Sequence, residues 1–252
     1  MKNMKQVFQR PKCLRDVPFH FCPGCHHGVI HRLVAECLDA YDLQEKTVCA
    51  ASVGCSVFMY DYFEVDVCES PHGRAAAVAT GIKRALPENF VFTYQGDGDL
   101  AALGIAEGIH TAHRGENITI IFVNNTVYGM TGGQMAPTTM LGQTTTTSPF
   151  GREFRREGYP IRMAELMSVI EGTAFSARAA VNTPKNLMQA KKMLKKAFEV
   201  QIRKEGFSFV EFLSACPTNW KMTPEQANQR VHEEMIPYFP LGVFKEKQPG
   251  SN

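Results

Sequence analysis

An unbroken apolar run at residues 118–125 (ITIIFVNN) constrains the fold of this chain more than any other feature. A strand with one wet face alternates apolar and polar residues, whereas an unalternated run suits a parallel strand that helices cover on both faces. Similar runs alternate along the chain with segments of helical spacing. The runs lie at 47–53, 90–95, 174–181 and 207–213, and the helical segments at 28–40, 74–86, 99–113 and from Thr183 onward. This order predicts an α/β fold, a doubly wound and mostly parallel sheet.

Length, charge and the N-terminal sequence limit the classes of protein to consider. The 252 residues fit one large domain, and the net charge of +2 gives no reason to expect nucleic acid or an anionic membrane as a partner. The first twenty residues contain no apolar run typical of a signal peptide, and no stretch reaches the roughly 20 apolar residues of a membrane span. We therefore expect a cytoplasmic protein. Its predicted parts are an N-terminal segment at 1–20, a main domain at 21–220 and a C-terminal arm at 221–252 that packs on a neighbouring chain.

The most specific motif is the sequence QGDGD, which has Asp97 at its centre. After Gly98 come 25 intervening residues and then a pair of asparagines ending in Asn125. Both pieces stand at the carboxyl ends of predicted strands, where open parallel sheets bind ligands. Gly96 and Gly98 allow the backbone to approach a phosphate closely. Asp97 and Asn125 supply the oxygen ligands that Mg²⁺ prefers. The alternative is that both pieces are ordinary tight turns.

The spacing of these two pieces resembles the thiamin-diphosphate signature. The resemblance implies that Mg²⁺ is held by the side chains of Asp97 and Asn125 and by the backbone carbonyl of Val127. It also implies that the cofactor lies against Gly98, Asp99, Gly129 and Met130.

A Cys-x-x-Cys pair, Cys22 and Cys25, raises the question of metal or redox chemistry near the N-terminus. A zinc site would need a second pair of ligands at similar spacing, and none exists. The nearby His26, His27 and His31 are expected to be helix-start and surface residues. A thioredoxin-like dithiol would follow an apolar strand, which is absent here. The remaining hypothesis is an iron–sulfur cluster whose other ligands come from distant loops, since four thiolates hold a cubane cluster.

Two other cysteines are candidates for the same site. Cys55 and Cys216 each follow a predicted strand, so both can project from the sheet edge that carries Asp97. Cys37 and Cys49 lie within apolar elements and are predicted to be core residues. A disulfide framework is not expected in a reducing compartment.

Six segments together resemble the beta subunit of 2-oxoacid:ferredoxin oxidoreductases, especially the short beta subunits for branched-chain 2-oxoacids such as 2-oxoisovalerate or for 2-oxoglutarate. They are CPGCHHG, VGCSVF, HGRAAAVATGIK, QGDGDLAALG, NNTVYGMTGGQMAPTT and CPTNW, and they run from about Cys22 to Trp220. The resemblance implies a 4Fe–4S cluster ligated by Cys22, Cys25, Cys55 and Cys216. It also implies that further residues face the thiamin diphosphate, namely Val53, Gly54, Cys55, Ser56, His72, Gly73 and Arg74.

The resemblance implies oxidative decarboxylation of a 2-oxoacid to an acyl-CoA and CO₂, with electrons passing through the cluster to ferredoxin. No segment resembles a pyrimidine-binding domain, so we expect a hetero-oligomer in which a separate alpha-type subunit supplies it. Gamma and ferredoxin-like delta subunits are further candidate partners. Two rival hypotheses are a non-redox thiamin enzyme half with structural cysteines and a non-catalytic metal-binding subunit.

The identity of the 2-oxoacid rests on weaker signals. A long loop at about 129–160 is of the kind that is usually functional in a compact domain. Its apolar Met135, Met140 and Leu141 mildly favour a branched-chain substrate. Alternatively, an arginine could pair with the distal carboxylate of 2-oxoglutarate. The candidates are Arg152, Arg155 and Arg156.

Overall fold

One twisted sheet organises the chain, for which the computed structural model describes residues 9–247. The first eight residues of the predicted N-terminal segment and the last five of the predicted arm lie outside the described residues. The strands are β1 Thr47–Ala51, β2 Asp66–Glu69, β3 Phe90–Gly96, β4 Thr119–Asn124, β5 Val127–Tyr128, β6 Gln134–Met135, β7 Thr173–Ala180, β8 Phe207–Leu213 and β9 Gly242–Glu246.

The helices connect these strands. They are α1 His27–Ala40, α2 Met59–Tyr62, α3 Ala75–Ala85, α4 Ile105–His113, α5 Phe154–Glu157, α6 Met163–Ser168, α7 Pro184–Ile202, α8 Pro217–Trp220, α9 Pro224–Arg230 and α10 Ile236–Tyr238. The start of α7 follows from its sequence, because the Thr183 side chain accepts a hydrogen bond from the Asn186 N–H and proline fills the first helical position. Where one helix was predicted at 99–113, a π-helical segment, Gly98–Leu103, precedes α4.

Within the described residues, seven strands form one sheet in the order β2-β1-β3-β4-β8-β7-β9, and β5 and β6 form a separate two-stranded ribbon. All neighbours in the large sheet are parallel except β9, which runs antiparallel to β7. The chain leaves β1 toward β2 at one edge and then returns to β3 on the other side of β1. This reversal is the switch point beside which open α/β sheets bind ligands. The predicted doubly wound, mostly parallel fold is confirmed.

The apolar run that predicted a doubly covered strand is β4. Ile121 and Val123 belong to one core cluster, with residues of α1 and α7, whereas Ile120 and Phe122 belong to a second, with residues of α3 and α6. All four side chains are fully buried. Successive residues of a strand point to opposite faces, so helices on both sides favour apolar residues at consecutive positions such as 120–123. No helix among residues 9–247 is both long and apolar enough to cross a membrane.

The described part of the predicted C-terminal arm packs on this chain's own sheet. Strand β9 pairs with β7, and Phe239 is fully buried. The buried Arg178 of β7 donates to the Pro240 carbonyl and pairs with Glu211 of β8. The predicted contact of the arm with a neighbouring chain and the predicted domain limits stay predictions.

Candidate functional site

A cavity of about 100 Å³ lies at the carboxyl ends of β1, β3 and β4, beside the switch point. Most residues that the sequence predicted for the cofactor line it: Val53, Gly54, Cys55, Ser56, His72, Gly96, Asp97, Gly98, Asp99, Asn125, Gly129 and Met130. His27, Tyr128 and Thr131 also line it, although the sequence analysis did not predict them as cofactor contacts. Gly73, Arg74 and Val127 were predicted but are not among the lining residues.

Asp97 lies directly after β3 and is almost completely buried. Its Oδ1 accepts a hydrogen bond from the Gly98 N–H at 3.0 Å, and its Oδ2 accepts from the Asn125 N–H at 3.2 Å and the Thr138 hydroxyl at 2.9 Å. Burial raises the pKa of Asp97 to about 7, although these hydrogen bonds act to lower it. No lysine or arginine among residues 9–247 forms an ion pair with this carboxylate. A divalent cation would supply the missing positive charge, so the donor set fits Mg²⁺.

The backbone between Asn125 and Val127 is strained. Thr126 has a φ of 64°, which a β-branched residue rarely adopts. Residues of the long loop hold Thr126 in this conformation. The Thr126 carbonyl accepts a hydrogen bond from the Thr139 hydroxyl at 2.5 Å, and the Thr126 hydroxyl accepts one from Gln143 at 2.9 Å. Such strain is typical of functional sites. The kink also lets the Val127 N–H donate to Asn125 Oδ1 at 3.2 Å, which fixes one predicted magnesium ligand relative to the other.

Arg152 anchors this loop. Its side chain is buried and donates to six backbone carbonyls, those of Ala136, Pro137, Thr139, Glu157, Gly158 and Tyr159. The prediction that Arg152 could pair with a substrate carboxylate is therefore wrong, since its donors face the loop. Arg155 and Arg156 are exposed, do not line the cavity, and Arg156 pairs with Glu157.

Asp99 joins three segments around the cavity. Its Oδ1 accepts from the Ser52 hydroxyl and the Gly73 N–H, both at 2.6 Å, and contacts His72 Nδ1, while its Oδ2 accepts from Gln95 at 2.6 Å. Both carboxylate oxygens are thus used within the chain, and His72 keeps Nε2 for a ligand. Arg74, in contrast, forms an ion pair with Glu107 of α4.

Glycines line the cavity, and two of them leave room for a phosphate group to lie directly against the backbone. A Cβ at Gly54, which has a φ of 135°, or at Gly96 would meet no atom within 4 Å and would project into open space. A Cβ at Gly98 would lie 2.2 Å from the Tyr128 ring. The open space at Gly54 and Gly96 fits a diphosphate group that lies directly against the backbone, whereas Gly98 is required by its contact with Tyr128.

The Cys22–Cys25 segment forms a tight turn just before α1. The Cys25 N–H donates to the Cys22 carbonyl at 3.0 Å, and Gly24 has a φ of 79°, as the third residue of a type II turn requires. The turn packs on α9, since a Cβ at Gly24 would lie 2.6 Å from the Pro224 Cβ. The predicted C-terminal arm, to which α9 belongs, therefore supports the turn.

The structure brings the four predicted cluster ligands toward one another. A Cβ at Gly129 would lie 3.1 Å from the Cys55 sulfur, and Asn219 donates both to the Gly129 carbonyl at 2.7 Å and to the Cys216 sulfur at 3.2 Å. Cys55 thus lies next to Gly129, and Cys216 is linked to Gly129 through the Asn219 amide. The Cys22–Cys25 turn reaches the same place, because the Ala215 N–H donates to His26 Nδ1 at 3.3 Å.

The thiols also influence one another electrostatically. Burial raises the pKa of Cys25 and of Cys55 to about 12, and neighbouring thiols, Cys22 and Cys216 among them, raise each further. In the described residues no three His, Cys, Asp or Glu side chains are close enough to hold a single metal ion. In a cubane cluster each thiolate binds a different iron, and the predicted 4Fe–4S cluster stays a prediction.

The three histidines near this turn were expected at the surface, and that expectation is wrong. His26, His27 and His31 are all buried. His27 Nδ1 lies 2.9 Å from the Tyr94 hydroxyl, and His31 Nδ1 lies 2.9 Å from the His27 carbonyl. Burial lowers the pKa of His26 to about 4 and those of His27 and His31 to about 3, so all three are neutral at pH 7.

Comparison with known proteins agrees with this geometry. Fold and site define a thiamin-diphosphate-binding enzyme domain, and the family model "Thiamine pyrophosphate enzyme, C-terminal TPP binding domain" matches residues 52–212. Ketoisovalerate oxidoreductase subunit VorA of Methanothermobacter thermautotrophicus is 44% identical over 253 residues, covering 96% of this chain and 53% of the relative. 2-Oxoglutarate synthase subunit KorB of Archaeoglobus fulgidus is 33% identical over 241 residues, covering 92% of this chain and 86% of the relative.

A solved structure gives the same result. The 2-oxoglutarate:ferredoxin oxidoreductase from Magnetococcus marinus, with 2-oxoglutarate, coenzyme A and succinyl-CoA bound, matches with a TM-score of 0.77 and 27% identity, over 100% of this chain and 88% of that chain. The chain belongs to the family of 2-oxoacid:ferredoxin oxidoreductase subunits. It spans about half the length of the VorA relatives that it matches.

Proposed function

We propose that this chain is the beta-type catalytic subunit of a 2-oxoacid:ferredoxin oxidoreductase. The complete enzyme would convert a 2-oxoacid and coenzyme A to an acyl-CoA and CO₂, and would pass two electrons singly through a 4Fe–4S cluster to ferredoxin. The observation that carries the proposal is the position of Gly129, which lines the cavity and lies next to both Cys55 and the Asn219 amide that donates to Cys216.

On the oxygen-rich side, Asp97, Asn125 and the Val127 carbonyl would hold Mg²⁺, and the open backbone at Gly54 and Gly96 would receive the diphosphate. When bound, thiamin diphosphate supplies the electron sink for loss of CO₂. The chain contributes rigidity, because Asp97 and Thr126 are held by hydrogen bonds from the long loop. His72, oriented by Asp99, would contact the cofactor through Nε2.

A partner subunit is needed to complete the site. Ligand sites commonly enclose about 300–1,000 Å³, whereas this cavity has about 100 Å³. Val53 and Met130 at its lining are 37% and 48% exposed, so a second surface can cover them. We infer an alpha-type subunit that carries the pyrimidine-binding domain, with gamma and ferredoxin-like delta subunits as further candidates.

A branched-chain 2-oxoacid such as 2-oxoisovalerate is the substrate that we favour. Among the described residues, those that line the cavity include no lysine or arginine, and Val53 and Met130 offer apolar contacts. Arg152, the buried arginine of the loop, donates to backbone carbonyls instead. The identity to the ketoisovalerate subunit, 44%, exceeds that to the 2-oxoglutarate subunit, 33%.

The test is to purify the complex anaerobically with its native partners and to assay 2-oxoacids one at a time with coenzyme A and ferredoxin. We expect 2-oxoisovalerate to be oxidised faster than 2-oxoglutarate. Cys216→Ser should abolish ferredoxin reduction, while the matched variant Cys37→Ser, at a buried position of α1, should retain it. Turnover of 2-oxoacids by an iron-free complex would instead identify a non-redox thiamin enzyme.

A further inference from the structure

Asn219 of α8 links the two halves of the site through one amide group. Its Nδ2 donates to the Gly129 carbonyl at 2.7 Å and to the Cys216 sulfur at 3.2 Å. A side-chain amide nitrogen carries two hydrogens, so it can serve both acceptors at once. The first acceptor belongs to the cavity loop and the second to a predicted cluster ligand.

Asn219 also packs against the far end of the same loop turn. A Cβ at Gly133 would lie 3.1 Å from the Asn219 Cβ, and the Gly133 N–H closes the turn on the Tyr128 carbonyl at 2.9 Å. Between these points lie Met130 and Thr131, which line the cavity. Asn219 therefore contacts the segment 129–133 at both ends.

The helix that carries Asn219 is itself fixed to the cofactor loop. Trp220 Nε1 donates to the Asn125 carbonyl at 3.2 Å, and the Arg230 guanidinium stacks over the Trp220 ring at 4.5 Å. With its backbone held in this way, the Asn219 amide reaches the Gly129 carbonyl and the Cys216 sulfur at the same time. The hydrogen bond to sulfur is thus coupled to the conformation at Gly129.

We propose that Asn219 is a positioning residue that raises the reduction potential of the cluster and couples that potential to occupancy of the thiamin diphosphate site. The inference rests on the proposed function. Reduction adds negative charge to the cluster and its sulfurs, and an N–H directed at a ligand sulfur stabilises that charge. A ligand that moves Gly129 would move the amide and so change the stabilisation.

The experiment is an anaerobic redox titration, followed by electron paramagnetic resonance, of the full chain as purified with its cluster. Asn219→Leu removes the donor at similar volume, and we expect the ratio of reduced to oxidised cluster at a fixed potential to fall about tenfold, equivalent to about 59 mV for one electron. Asn219→Gln, which keeps an amide, should recover part of the loss. Asn186→Leu, at a half-buried asparagine of α7, is the matched control and should leave the potential unchanged.

The coupling has its own readout. Thiamin diphosphate with Mg²⁺ should shift the wild-type potential and leave that of Asn219→Leu in place. Equal potentials in the wild type and in a leucine variant with full iron content would overturn the inference and leave the proposed function intact. If the leucine variant loses its cluster, Asn219→Ala, which also lacks a donor, takes its place in the same comparison. A wild-type chain without iron would instead refute the proposed function itself.

Discussion

The two sides of the site are built differently. The oxygen side, comprising Asp97, Asp99 and Asn125, is surrounded by donors from its own chain. Asp97 accepts three hydrogen bonds, and Asp99 accepts three others from Ser52, Gly73 and Gln95. The sulfur side, comprising Cys22, Cys25, Cys55 and Cys216, has fewer donors per group: one backbone N–H each for Cys25 and Cys55, and the backbone and side chain of Asn219 for Cys216. The oxygen side is therefore organised before any ligand binds, whereas the geometry of the sulfur side depends on what the thiols bind.

Both sides share one electrostatic problem. Burial raises the pKa of Asp97 to about 7 and the pKa of Cys55 to about 12. Each side thus disfavours its own charged form, and a bound cation or iron cluster would reverse this. The comparison predicts that damage to one side leaves the other intact.

The largest expected effect follows from replacing Arg152, which anchors the long loop on the oxygen side. Arg152→Leu leaves several loop carbonyls without a donor, so we expect the free energy of unfolding to fall by at least about 3 kcal/mol, measured by urea denaturation. Arg155→Leu, at an exposed arginine of the same loop, should stay within about 0.5 kcal/mol of the wild type. Equal effects in the two variants would show that the loop does not depend on Arg152.

The second-largest expected effect concerns the predicted magnesium site. Asp97→Asn keeps the shape of the side chain but removes the charge, and we expect the affinity for thiamin diphosphate with Mg²⁺ to fall about a hundredfold or more in calorimetric titration. Iron content should not change, because Asp97 is not one of the four predicted cluster ligands. Asp66→Asn, on the edge strand β2, serves as the control. Loss of iron in Asp97→Asn would break the division between the two sides.

A glycine pair tests the sulfur side. Gly24 and Gly158 have φ angles of 79° and 71°, but only Gly24 would place a Cβ against another residue, Pro224, at 2.6 Å. Gly158, with a ψ of 178°, lies in a backbone region that only glycine adopts readily, so Gly158→Ala should also cost about 2 kcal/mol, similar to Gly24→Ala. Only Gly24→Ala should lower the iron content, since it displaces the Cys22–Cys25 turn. Full iron in Gly24→Ala would mean that the turn does not need Pro224.

The smallest effect at neutral pH concerns the buried histidines beneath the turn. Burial lowers the pKa of His31 to about 3, below the 6.5 of an unfolded histidine. Below about pH 6.5 the unfolded chain therefore binds a proton that the folded chain excludes, and stability falls as the pH falls toward 3. His31→Phe should remove up to about 1.4 kcal/mol per pH unit from that slope, measured by unfolding at pH 7, 6 and 5. An unaltered slope would contradict the assignment, and exposed His113→Phe is the control.

The elements predicted from the sequence are those whose burial is reflected in the residue pattern. β4 was predicted because both of its faces are covered, and Asp97 and Asn125 because each follows such a strand. Strand β2 (DVCE) had no such signal, since its side chains remain largely exposed and it is defined by pairing with β1. Strand β9 was missed for a related reason, because its residues are only partly buried at the sheet edge.

The missed parts of the site depend on contacts that no spacing encodes. Arg152 and Thr139 act through backbone carbonyls, which every residue type possesses. The buried histidines owe their environment to aromatic residues from distant segments, with His31 packed against Phe63 and Tyr94. Such contacts are fixed only when the chain folds.

The central claim is that four cysteines from separate segments bind one cluster beside the diphosphate cavity. Iron and acid-labile sulfide in the anaerobically purified full chain measure this most directly. A cubane cluster gives about four irons and about four sulfides per chain. Zinc in place of iron, or a chain that purifies with neither iron nor sulfide, would contradict the claim.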